Sequence, residues 1–197
     1  MKKLLLLAAL LGTVASVLAQ GNVSFRNNAS TSFYIYTNDF TGTLGSPTNR
    51  LMSGVNAYRI GLYASPTTGA SAGSLTLVAL ATNSAALPGR FLGPSPLVLP
   101  AGYAPGAAIT FQIRAWSFAG GMSYEEALLN GSVNPLRIAL GASVLGTVTP
   151  SDAASPVAVL FGTGNLVQGF MIGAPEPSSL TLGLLGLGAM AMFRCKK

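Results

Sequence analysis

The chain has 197 residues, half of them apolar and 8% charged, with 24 glycines, 12 prolines, one cysteine and no histidine. The formal charge of +6 is concentrated at the ends: Lys2, Lys3, Arg194, Lys196 and Lys197 flank two oily segments, while six arginines (Arg26, Arg50, Arg59, Arg90, Arg114, Arg137) against five acids (Asp39, Glu125, Glu126, Asp152, Glu176) leave the rest near neutral. That distribution offers no basic stripe to track phosphates, which excludes nucleic acid as a partner, and one cysteine excludes an intrachain disulfide, so core packing or metal must hold the fold.

The first residues, "MKKLLLLAALLGTVASVLAQG", have the three parts of an export signal. Lys2 and Lys3 form the positive end and Leu4 to Leu11 the apolar stretch. Val17 and Ala19 place small residues at the third and first positions before a cut between Ala19 and Gln20. The cations stay inside, the oily part enters the translocon, and small side chains fit the peptidase. The apolar stretch is short for a span of about 20 residues. Residues 1–19 are therefore expected to be a signal peptide removed by signal peptidase, and the body to be exported.

From residue 20 to 173, apolar residues alternate with period two, the strand signature. "NVSFRN" and "SFYIYTN" read as two early strands. "VNAYRIGLYAS" puts Tyr58, Ile60, Leu62 and Ala64 on one face, with Arg59 and Tyr63 opposite. "SLTLVALAT" puts Leu75, Leu77, Ala79 and Ala81 together and Thr76, Val78, Leu80 and Thr82 opposite, as in a strand covered on both sides. "AITFQIRAW" is the clearest: Ile109, Phe111, Ile113 and Ala115 face one way; Thr110, Gln112, Arg114 and Trp116 face the other. Between these lie turn-rich pieces such as "TGTLGSPTN", "SPTTGASAG", "LPGRFLGPSP" and "PAGYAPGA".

"SYEEALLNG" departs from the alternation. Ser123 and Glu126 have capping-box spacing, and Gly131 is placed to end a helix. Four more strands are expected within Pro135 to Leu140, Ser143 to Thr149, Val157 to Phe161 and Leu166 to Ile172. The expected fold is mainly β: a single antiparallel β-sandwich, jelly-roll or Ig-like, with one short helix near residues 123–130.

Catalytic chemistry has little material here. Without histidine, neither a Ser-His-Asp nor a Cys-His site assembles, and the usual zinc sites lack ligands. Glu125 and Glu126 are neighbours and diverge by about 100° on a helix, whereas a glycosidase needs two carboxyls across a cleft. Asp39, Asp152 and one of the glutamates would have to converge in three dimensions. No cofactor or metal is expected, and the body reads as non-enzymatic. Trp116 and Tyr124, like Tyr63 and Tyr103, could stack on sugar rings; the alternative is that Trp116 packs under the helical stretch near Tyr124 as core. The sequons at Asn22, Asn28 and Asn130 match N-glycosylation by pattern alone, and Ser/Thr-rich loops are the better carriers of any sugar.

The last residues, "APEPSSLTLGLLGLGAMAMFRCKK", have their own logic. Pro175 and Pro177 push Ala174 and Glu176 toward extended backbone, and Glu176 adds a charge that resists entry into lipid. As a helix, Ser178 to Phe193 would reach roughly 24 Å, a marginal span for a core of about 30 Å. Arg194, Lys196 and Lys197 would stay in the cytoplasm as a basic stop. Cys195 reads as a lipidation site beside the membrane or as a free thiol in the stub.

These parts in this order, Pro175-Glu176-Pro177, the apolar run Leu180 to Phe193 and the basic cluster from Arg194, closely resemble the PEP-CTERM protein-sorting domain over residues 174–197. Ala174 stands where valine is common, and a cysteine interrupts the basic tail; neither breaks the pattern. The resemblance implies processing by an exosortase in a Gram-negative bacterium. It also implies transient anchoring in the inner membrane, then a cell-surface or extracellular location, with association to exopolysaccharide and biofilm. The segments "YRIGLYAS", "LVALAT", "PGAAITFQIRAWS" and "SYEEAL" also resemble sandwich-like exported proteins that carry this tail, and no site residues come with that likeness. The expected domains are 1–19, 20–173 and 174–197, with the motif at 175–177, a transmembrane segment over 178–193 and a basic tail over 194–197. The expected role is that of an exported matrix protein, with a carbohydrate-binding module of the same matrix, or a carboxylate-dependent glycoside hydrolase, as alternatives.

Overall fold

Two strands with clean alternation build the centre of the fold. A computed structural model describes residues 20–27, 35–38, 49–52, 54, 56–133, 138–161, 167 and 169–173. In chain order its strands are β1 (Asn22–Ser24), β2 (Ile35–Asn38), β3 (Asn49–Leu51), β4 (Tyr58–Ser65), β5 (Thr76–Thr82), β6 (Leu97–Val98), β7 (Ile109–Ser117), β8 (Leu140–Ala142), β9 (Gly146–Val148), β10 (Ala158–Val159) and β11 (Phe170–Ile172). Among the described residues one α-helix, α1 (Tyr124–Val133), lies between β7 and β8, and single 3-10 turns form at Ala72–Ser74 and Phe118–Gly120. The expectations at Ala19, Asp39, Pro175, Glu176, Pro177, residues 178–193, Arg194, Lys196 and Lys197 fall outside the described residues.

Strands β4 and β7 pair antiparallel from Tyr58 opposite Ser117 to Ser65 opposite Thr110. Strand β5 flanks β4, while β8 and β9 both flank β7, all antiparallel. Two small sheets complete the architecture, in the orders β10-β1-β6 and β11-β2-β3. Each contains one parallel pairing, β1 with β10 and β2 with β11, so early strands join late ones. The antiparallel expectation stands for the other pairs and fails for these two, whose strands run the same way and are joined by long crossovers, as parallel pairing requires.

The alternation read from β4 and β7 holds. Ile60, Leu62 and Ala64 join Ile109, Phe111, Ile113 and Ala115 in the main core. Both small sheets reach that core, through Val23 of β1 and Ile172 of β11, and Phe25, Phe91 and Phe161 stack through it at centroid spacings of 5.1 and 5.6 Å. The other face of the central sheet carries a smaller cluster of Tyr63, Leu75, Trp116, Ala127 and Ile138, covered by α1.

Three expectations need correction. Leu75, Leu77, Ala79 and Ala81 do not share a face: Leu62 pairs with Ala79 and Tyr63 with Leu77, leaving Val78 extra. One inserted residue inverts the alternation, so Val78, Ala79 and Ala81 meet the main core while Leu75 and Leu80 meet the smaller cluster. Gly131 does not end the helix, which continues to Val133 with Ala127 and Gly131 buried one turn apart. Of the strand expected over Pro135 to Leu140, residues 135–137 lie outside the described residues, Ile138 and Ala139 are not in a strand, and Leu140 opens β8. Strands β3 and β6 lie where the sequence shows mostly turn residues, and their register comes from partners rather than their own pattern.

No helix among the described residues is long and apolar enough to cross a membrane.

Candidate functional site

The densest polar constellation lies between the central sheet and α1. Arg114 sits on the face of β7 opposite the main core and is nearly fully buried. Its Nε donates to Gln112 Oε1 at 2.9 Å, its Nη1 to Glu125 Oε1 at 2.7 Å, and its Nη2 to the Ala72 carbonyl. The guanidinium plane lies 4.1 Å from the Tyr63 ring and 5.3 Å from that of Tyr124. Gln112 in turn donates to the Ser143 carbonyl at 2.7 Å. A buried cation persists only with such partners, and this one ties together β7, the first 3-10 turn and the helix.

Tyr63 closes the circuit. Its hydroxyl donates to Glu125 Oε2 at 2.9 Å and accepts the Tyr124 amide at 3.0 Å, satisfying a free N–H at the start of α1. Its pKa is pushed up to about 12, chiefly by burial and further by the Glu125 carboxylate, against the Tyr124 amide and Arg114, which pull it down. Burial likewise raises Tyr124. Both phenols remain neutral at physiological pH, and that of Tyr63 donates to Glu125.

The helix start uses both residues of the expected capping box. Ser123 Oγ accepts the Glu126 amide at 3.1 Å, while Glu126 Oε2 reaches back to the Met122 amide at 2.7 Å. Gly121 makes this reach possible. Its φ is +112°, and a Cβ there would come within 2.2 Å of the Glu126 carboxyl carbon.

Trp116, a sugar-stacking candidate, lies entirely in the smaller core. Its indole Nε1 donates to the Gly121 carbonyl at 3.0 Å, and its ring meets Tyr124 edge-on at 6.1 Å. In this packing the indole has no free face, and Tyr124 is only partly exposed. Among the described residues, an exposed aromatic that the sequence reading missed is Phe118, with the Arg59 guanidinium 4.0 Å above its ring. The described acids do separate jobs: Glu125 pairs with Arg114, Glu126 caps α1, and Asp152 accepts the Ala154 and Ser155 amides in its own turn. Hydrogen bonds from Ser155 lower the Asp152 pKa. Among the described residues no cluster of acids and cysteine could hold a metal ion.

The second constellation comprises the first and last described stretches of the chain. At the front, Gly21 donates to the Tyr103 carbonyl at 2.7 Å and accepts the Leu99 amide at 2.9 Å. Gln20 is thus the one residue between the expected cut after Ala19 and the first tied position. At the back, Ile172 is fully buried, and Gly173 exchanges both backbone hydrogen bonds with Leu140, at 2.8 and 3.1 Å. In the sequence Ala174 alone stands between Gly173 and Pro175, a residue type that has no amide hydrogen to give a ladder.

Residues 174–197 match the family model of the PEP-CTERM protein-sorting motif. This chain carries a PEP-CTERM motif. No curated protein and no solved structure matches the chain. The PEP-CTERM motif implies processing by an exosortase, export, and a surface or extracellular location in a Gram-negative bacterium. It begins at the residue following Gly173, which is the last described residue and is hydrogen-bonded to Leu140 of β8.

Proposed function

We propose that this protein is an exported, non-enzymatic component of the cell surface or extracellular matrix, associated with exopolysaccharide and biofilm. Signal peptidase cuts between Ala19 and Gln20. The apolar run 178–193 parks the chain transiently in the inner membrane, with Arg194, Lys196 and Lys197 as the basic stop. An exosortase then processes it at Pro175-Glu176-Pro177, releasing the body of residues 20–173. We read that body as one β-sandwich, because both small sheets share a core with one face of the central sheet.

The observation that carries this reading is the match of residues 174–197 to the sorting motif. The polar cluster around Arg114 supports a structural role for the body, since its groups are spent on holding α1. Replacing Pro175-Glu176-Pro177 by three alanines should leave uncut protein in the inner membrane. Intact-mass measurement of released wild-type protein should show a chain that starts at Gln20 and lacks the basic tail. Normal release of the alanine variant overturns the reading.

A second reading, a carbohydrate-binding module, rests on Phe118, whose exposed ring carries the Arg59 guanidinium. Retention on matrix polysaccharide that is lost in Phe118→Ala with the fold intact would favour it.

A further inference from the structure

Strand β11 holds the last stretch of chain before the motif at three levels. Its backbone pairs parallel with β2, from Phe170 opposite Ile35 to Ile172 opposite Thr37. Ile172 is buried in the main core. The Met171 carbonyl lies against Gly141, where an added Cβ would come within 2.2 Å of its oxygen. Beyond it Gly173 is bonded twice to Leu140.

That hold conflicts with access to the motif. From Gly173 to Pro175 the chain advances two residues, about 7 Å at full extension. An enzyme embedded in a bilayer spans it with helices or a closed barrel, and a helix with its side chains is about 10–12 Å across. A helix of that width does not fit within this reach between a docked body and Pro175-Glu176-Pro177, so pairing of Gly173 restricts approach to the motif from the side of the body. Freeing residues 170–173 adds about 14 Å of extended chain, which clears a helix.

We propose that β11 and Gly173 act as a detachable clamp, leaving the sheet when the sorting motif is processed and so setting the rate of processing through their local stability. The proposal rests on exosortase processing of this tail. The clamp is suited to opening: three residues long, with Phe170 only partly buried and Met171 exposed. Terminal elements with few buried contacts open at a fraction of the cost of global unfolding. Once the tail is cut, the strand reseats on β2 and the core closes over Ile172.

The test follows processing by pulse-chase in the native host, using the full chain with Cys195→Ser as parent. Leu140→Cys with Gly173→Cys places thiols at a hydrogen-bonded antiparallel pair, where Cα atoms about 5.5 Å apart accept a disulfide. The cut product should be lost while this pair is oxidised and should return on adding reductant. Gly141→Ala pushes the Met171 carbonyl away, and Ile172→Ala removes the buried anchor by a separate route. Each should speed processing about tenfold, the factor by which a loss of 1.4 kcal/mol raises the open population, with the central sheet checked by circular dichroism. Parental rates in the oxidised pair, or in both loosening variants, overturn the clamp. The triple alanine variant separates the two ideas: if it is processed like the parent, the sorting reading falls and the clamp with it. If it stays uncut while the oxidised pair is processed normally, the clamp alone falls.

Discussion

Arg114 of β7 reaches Glu125 of α1 with 2.7 Å between Nη1 and Oε1, one end of the pair buried and the other 57% exposed. The asymmetry divides the energetics. Arg114→Ala should lower stability by about 2–4 kcal/mol, because three hydrogen bonds and the packing against Tyr63 go together. Glu125→Gln should cost about 1 kcal/mol or less, since a half-exposed carboxylate is screened by water. Arg114→Lys should fall between them, lacking the planar fork that meets Gln112, Glu125 and Ala72 at once. Denaturant midpoints at constant slope would rank the three.

The phenol of Tyr63 predicts an alkaline limit. Its folded pKa of about 12 lies above the ordinary 10, so the neutral form is favoured in the folded state. Its stabilisation is complete below about pH 10 and is lost as pH rises toward 12, by of order 2 kcal/mol. Melting temperature measured from pH 8 to 12 should fall in that window. Tyr63→Phe should start lower, having orphaned the Tyr124 amide, and should decline less steeply.

Trp116→Ala and Phe118→Ala should behave as opposites despite lying two residues apart. Trp116→Ala empties the smaller core and should cost about 3–5 kcal/mol. Phe118→Ala removes an exposed ring and should shift stability by about 0.5 kcal/mol. Thermal melts of the two variants check this, and equal losses would show that the face above β7 is not packed as described.

Gly121→Ala should cost about 1–3 kcal/mol, from positive φ and from collision with the Glu126 carboxylate. Glu126→Ala alone loses the contact to the Met122 amide. Because the two changes share one space, the double variant should lose clearly less stability than the sum of the single losses. Additivity in a double-mutant cycle would contradict the shared space.

Much of the β framework was legible because strand alternation is local. Residues 58–64 and 109–115 state their buried faces in their own spacing, and both faces appear as read. Likewise, Ser123 and Glu126 announce a helix start within four residues. Between Thr76 and Thr82 the same rule misled, because a bulge leaves no mark in a run where both faces are apolar. The parallel joins of β1 to β10 and β2 to β11 were equally hidden, since each strand is too short to name its partner.

By itself the sequence determined the sorting motif at residues 174–197, because such a signal is a linear order of residue types read along the chain. It also determined that the body would be strand-rich, from a period of two that any short stretch displays. Only the tertiary structure decided that Arg114 meets Glu125 rather than Glu126, that Trp116 is core, and that Gly173, the residue before the motif, is hydrogen-bonded to Leu140. Those outcomes depend on contacts between distant parts of the chain, whose geometry exists only once the sheets have paired and the helix has closed over them.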